Sequence, residues 1–78
     1  MEMGRVINDK LVRQAFGRRL RTIRRSHGLT QQALADRASL TMNYVFRLEK
    51  GERNPTLLVL HDLAKALRVR VRELTDPG

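Results

Sequence analysis

The chain has 78 residues, 16 Lys and Arg against 8 Asp and Glu, and no cysteine. That length holds one domain and excludes a multidomain enzyme with a deep cleft, and without cysteine neither a disulfide nor a zinc–thiolate framework can form. The net charge of +8 predicts a polyanionic partner, nucleic acid or an anionic lipid surface, or else only a soluble, self-repelling protein.

Apolar residues make up 41% of the chain, enough for one small core. Three aromatics, Phe16, Tyr44 and Phe46, and no Trp argue against a packed β-sandwich. No apolar run approaches the roughly 20 residues that span a bilayer. Met1-Glu2-Met3-Gly4-Arg5 lacks the apolar core of a secretion signal. The expected location is the cytoplasm, and the absence of cysteine fits a reducing compartment. Between sparse turn residues the apolar spacing is helical throughout, with no strand-like alternation, so the chain reads as all-α. It is expected to be a single domain over residues 1–78, with residues 1–8 as an N-terminal arm and 75–78 as a C-terminal tail.

The first helix is predicted from about Asn8, a capping residue followed by Asp9, to about Ser26. Val12, Phe16, Leu20 and Ile23 form its apolar stripe, while Arg13, Arg18, Arg21 and Arg25 lie outside it. Gly28 is placed to end it in a left-handed conformation. Two short helices follow, and each opens in the same way. Leu29-Thr30 precedes Gln31, and Leu40-Thr41 precedes Met42. Thr is the cap in both, with Leu29 set to staple to Leu34 and Leu40 to Val45. Only Ser39 and Leu40 separate Ala38 from the second cap, the tight connection of a helix-turn-helix. A fourth helix is predicted from Thr56, with Leu57, Leu60, Leu63, Ala64 and Leu67 on one face. Val69, Val71 and Leu74 suggest a final short helical turn.

On the third helix, Tyr44, Val45 and Leu48 share one side, which must be the buried one. Met42, Asn43, Phe46, Arg47 and Lys50 share the other. An amide, a guanidinium, an ammonium and two large apolar groups suit an edge-reading surface in a DNA major groove. Arg can donate twice to guanine O6 and N7, Asn can bridge adenine N6 and N7, and an apolar tip can meet a thymine methyl. Arg47 and Asn43 are the expected base readers, with Met42 and Phe46 as methyl contacts. An ordinary solvated surface remains open for this face, and a protein contact remains open for Phe46.

Residues 16–74 resemble the Xre/Cro/C1 helix-turn-helix family of phage repressors, Cro proteins, restriction–modification controller proteins and antitoxins. The resemblance rests on Leu20-Arg21-Thr22-Ile23-Arg24, Gly28-Leu29-Thr30-Gln31-Gln32-Ala33-Leu34-Ala35, Tyr44-Val45-Phe46-Arg47-Leu48-Glu49-Lys50-Gly51 and Arg53-Asn54-Pro55-Thr56-Leu57. It implies a five-helix, lambda-repressor-like bundle whose third helix enters the major groove, in a bacterial or phage-encoded transcriptional regulator. It implies phosphate contacts from Gln31 and Thr41, and an ion pair between Arg24 and Glu49 that joins the first and third helices. Lys50, Arg53, Asn54 and the Gly51 amide are expected on the DNA backbone, where they position without reading sequence. Arg18, Arg21 and Arg25 are left between direct contact and a contribution to the general field.

Three departures from the family pattern stand out. Ser39 and Arg68 occupy positions where glycine is usual, so each must adopt a left-handed conformation at a cost or alter its turn. Leu58 and Val59 add apolar surface to the fourth helix. The expected use is a homodimer interface with Leu58, Val71 and Leu74; cover by the first ten residues is the alternative. His27 and His61 have no metal-binding spacing, and no nucleophile–base pair or phosphate-binding glycine loop is present. The expectation is a non-enzymatic, homodimeric binder of double-stranded DNA, with no cofactor, small-molecule effector or membrane partner. An antitoxin that neutralises a toxin and regulates its own promoter is the alternative function.

Overall fold

The computed structural model describes residues 8–76, and among these four of the five helices begin at a side-chain oxygen that accepts from a backbone amide three residues on. Asn8 caps α1 (Asp9–Ser26), Thr30 caps α2 (Gln31–Ala38), Thr41 caps α3 (Met42–Glu49) and Thr56 caps α4 (Leu57–Leu67). The bonds run from Leu11, Ala33, Tyr44 and Val59 at 3.0–3.1 Å. Each such cap stabilises its helix by about 1 kcal/mol. In α5 (Val71–Thr75) the reverse half of a capping box does the work, the Arg70 amide donating to Glu73 Oε2 at 2.8 Å. Among the described residues there is no strand.

The helix exits are equally regular. Gly28, Ser39, Gly51 and Arg68 all have positive φ. At each, the next residue's amide reaches back to a carbonyl five positions earlier: Leu29 to Arg24, Leu40 to Ala35, Glu52 to Arg47 and Val69 to Ala64, at 2.9–3.2 Å. Ser39 and Arg68 therefore keep the turn geometry that glycine would give, at φ of 58° and 56°. A side chain in that conformation costs about 1 kcal/mol or more.

The core is built from one stripe per helix: Phe16, Leu20 and Ile23; Leu34, Ala35 and Ala38; Val45 and Leu48; Leu63, Ala64 and Leu67; and Leu74. α3 packs on α1 and α2, α2 also packs on α4, and α5 closes the other end against α1 and α4. Two expected core residues stay out of it. Val12 is 56% exposed and Leu57 68% exposed. Both lie on the correct helical face in a first turn, Val12 on the rim of an open apolar depression shared with Leu60 and Leu74, and Leu57 as the first residue of α4. Periodicity assigns a face; it does not assign depth.

Leu74 departs in the opposite sense. Expected at a dimer surface, it is 1% exposed within the monomer, because α5 turns it inward between α1 and α4. Leu58 is 76% exposed and Val71 is half-buried against the core. Of the expected N-terminal arm, only Asn8 lies within the described residues, where it caps α1; of the expected tail, Thr75 closes α5.

Candidate nucleic-acid interface

α3 is anchored from behind and open in front. Behind, Val45 and Leu48 are fully buried, and the backbone of α1 crosses close to the helix end. Gly17 permits that crossing: a Cβ there would stand 2.6 Å from the Leu48 carbonyl oxygen and 2.5 Å from that of Glu49. Arg13 Nε adds a bond to the Gly51 carbonyl oxygen at 3.1 Å. Gly17 was missed in the sequence; the signal that points to it is a glycine inside a long helical pattern, less favourable there than alanine by about 1 kcal/mol and so in need of a packing reason.

The crossing is locked by charge. Arg24 donates two bonds to Glu49, Nε to Oε2 at 2.6 Å and Nη2 to Oε1 at 2.9 Å. Its Nη1 donates to the Leu29 carbonyl at 2.8 Å, tying the α1–α2 turn to the same guanidinium. Gln31 Nε2 donates to Glu49 Oε1 at 3.0 Å, and Arg21 Nε stands 3.7 Å from that oxygen. Burial alone would raise the Glu49 carboxyl's pKa; the Arg24 and Gln31 hydrogen bonds, with the charges of Arg24 and Arg21, outweigh it and hold the carboxyl below its ordinary range. The hydrogen bond to Glu49, set against desolvation, raises the Arg24 guanidinium.

Gln31 stands half-buried at the start of α2, and its amide nitrogen donates one of its two N–H groups to the Glu49 carboxylate. The Gly51 amide is committed: Gly51 is buried and its N–H donates to Leu48 O at 3.1 Å, closing the helix end instead of facing outward.

In front, Met42, Asn43 and Phe46 are exposed and Arg47 is half-exposed. Thr41 caps the start of α3 and Lys50 its end, both exposed; Arg53 and Asn54 are exposed in the loop that follows, Asn54 beside an apolar depression lined by Val12, Phe16 and Leu74. The structure thus brings the four expected base readers onto one exposed face, with a hydroxyl at its start and an ammonium at its end. Phe46 is exposed and has the Lys50 ammonium 5.2 Å from its ring centroid, a cation–π arrangement. One residue of this surface was not anticipated. Glu52 accepts from Arg47 Nη1 at 2.8 Å, and its other oxygen lies 3.9 Å from Lys50 Nζ. It follows a left-handed glycine, so no helical spacing relates it to Arg47.

The chain is similar to known proteins over most of its length. The pattern of the Helix-turn-helix family matches residues 20–74. An uncharacterized HTH-type transcriptional regulator of Sinorhizobium fredii is 39% identical over 66 residues, covering 85% of this chain and 86% of that protein. Control protein C.BamHI of Bacillus amyloliquefaciens is 35% identical over 66 residues, covering 83% and 82%. The solved structure of the restriction–modification controller protein C.AhdI from Aeromonas hydrophila superposes with a TM-score of 0.77 at 43% identity, covering 78% of this chain and 92% of that one.

Proposed function

The chain belongs to the helix-turn-helix family of DNA-binding transcriptional regulators, and on that premise we propose that it acts as a homodimer on a near-palindromic operator in double-stranded DNA. α3 lies in the major groove, and the two copies of it occupy successive grooves about 34–36 Å apart. The observation that carries this reading is the division of α3: Val45 and Leu48 fill the core while Asn43, Arg47, Met42 and Phe46 face outward. Asn43 and Arg47 read base edges, and the two apolar tips meet thymine methyls.

Thr41, Lys50, Arg53 and Asn54 contact phosphates on either side of α3 and set its register. The +8 charge supplies the sequence-independent attraction, which falls steeply with salt. Leu58, exposed on α4, and the half-buried Val71 form the self-association surface. The likeness to control proteins supports a small regulator governed by its own concentration and dimerisation.

Selection of bound duplexes from a random DNA pool reports the site, its symmetry and its spacing together. On the selected duplex, Arg47→Ala is expected to cost about 1–3 kcal/mol and to relax preference at one base pair. An equal loss on random DNA would remove the base-reading role. Lys50→Ala is expected to weaken all duplexes alike and to flatten the salt dependence by about one unit of slope. Leu58→Asp is expected to sediment as a monomer; an unchanged dimer would move the interface elsewhere.

A further inference from the structure

We propose that Glu52 is a positioning and specificity-determining residue: its carboxylate holds the Arg47 guanidinium in its base-reading orientation and opposes capture of that guanidinium by phosphate. The inference rests on the reading of Arg47 as a base reader, and goes beyond it by assigning discrimination to an acidic side chain on a cationic surface.

The backbone of Glu52 is anchored beside Arg47, and its exposed side chain reaches the guanidinium from there. The Glu52 amide donates to the Arg47 carbonyl at 2.9 Å across the left-handed turn at Gly51. From there Oε1 meets Arg47 Nη1 at 2.8 Å, while Oε2 stands 3.9 Å from Lys50 Nζ. One carboxylate is thus shared by two cations that face the groove. Arginine carries five N–H donors, and this contact engages Nη1. Nε and Nη2 can then form the paired donor edge that matches guanine O6 and N7.

Two consequences follow from this geometry. On a matching site Arg47 makes its base contact with Nη1 still on Glu52, so the orientation is prepared before binding and little freedom is lost. On a mismatched site Arg47 can gain only by turning to a phosphate. That turn breaks the Glu52 bond and leaves a carboxylate beside the phosphate chain. Glu52 therefore weakens non-specific binding more than specific binding, a form of selectivity built on repulsion.

The test uses the full chain, the duplex selected from the random pool, and a random-sequence duplex of equal length, with Kd measured across a series of salt concentrations. Glu52→Ala and Glu52→Gln are expected to tighten binding to the random duplex about three- to ten-fold and to steepen its salt dependence by about one unit of slope. Binding to the selected duplex is expected to stay within about two-fold, because lost positioning offsets lost repulsion. Equal tightening on both duplexes, or no change on either, would overturn the inference. Arg47→Ala separates the two readings. If it lowers selectivity and the Glu52 variants do not, the role of Glu52 fails alone; if it leaves selectivity intact, the base-reading role of Arg47 fails with it. In the Arg47→Ala background, Glu52→Ala is expected to tighten both duplexes equally; a further drop in selectivity there would show that Glu52 does not act through Arg47. Melting temperatures of the variants report whether the fold is intact.

Discussion

Glu49 and Glu52 stand three residues apart at the end of α3, and each accepts from an arginine, yet the two pairs do different things. Glu49 is buried and gathers Arg24, Gln31 and Arg21. Glu52 is exposed and shares Arg47 with solvent. Between them Gly51 turns the chain through a left-handed conformation, and its tight approach to Gln14 leaves no room for a side chain. The contrast teaches that the chemistry of a charge pair does not assign its role. Burial turns one into a strut, because an unpaired charge there has no water to fall back on. Exposure leaves the other free to exchange partners at a cost of about 1 kcal/mol or less.

The comparison can be broken most decisively at Glu49. Glu49→Ala is expected to destabilise the fold by about 3 kcal/mol or more, since it strands the buried Arg24 guanidinium. Glu52→Ala should change stability by less than about 1 kcal/mol. Urea denaturation of both variants measures the gap, and similar losses would erase the distinction.

Gly17→Ala tests why Glu49 is buried at all. The added methyl meets backbone carbonyls that have no rotamer to yield, so a loss of about 2 kcal/mol is expected in the same denaturation assay. A neutral result would mean that α1 and α3 are free to separate. Acid sharpens the contrast in another way. Because the folded Glu49 carboxyl sits below its ordinary value, its contribution is present above the unfolded value, about 4.3, and disappears as pH falls through the folded one. Stability should therefore decline with acid below about pH 4. Glu49→Gln should flatten that decline, and an unchanged pH profile would contradict the assignment.

The smallest effect concerns the turns. Gly51 is suited to its conformation, whereas Ser39 and Arg68 adopt it with side chains. Ser39→Gly and Arg68→Gly are each expected to raise stability by about 0.5 kcal/mol, the relief of strain slightly exceeding the added freedom of the unfolded chain. A thermal melt showing destabilisation would mean that those side chains make contacts worth more than the strain.

Much of this architecture was legible beforehand. The caps at Asn8, Thr30 and Thr41, the start of the fourth helix at Thr56, the turn at Gly28, and the two sides of α3 all follow from patterns a few residues long. The Arg24–Glu49 pair was accessible only through family resemblance, since 25 residues separate its members. Leu74 was misplaced because its apolar character suits a core and an interface equally. Glu52 was passed over because a carboxylate on a cationic surface reads as solubilising until its partner is seen.

Sequence by itself determined where the first four helices start, which side of each is apolar, and which family the chain resembles, because capping and periodicity act through atoms within about one turn of one another. Tertiary structure alone decided how deep each residue lies and which distant polar groups meet. Gly17 under the end of α3, Gln31 on Glu49, Leu74 in the core and Glu52 on Arg47 depend on the crossing of helices and the course of a left-handed turn. A glycine marks such a turn locally, but which side chains it brings together is not encoded in any short run of residues.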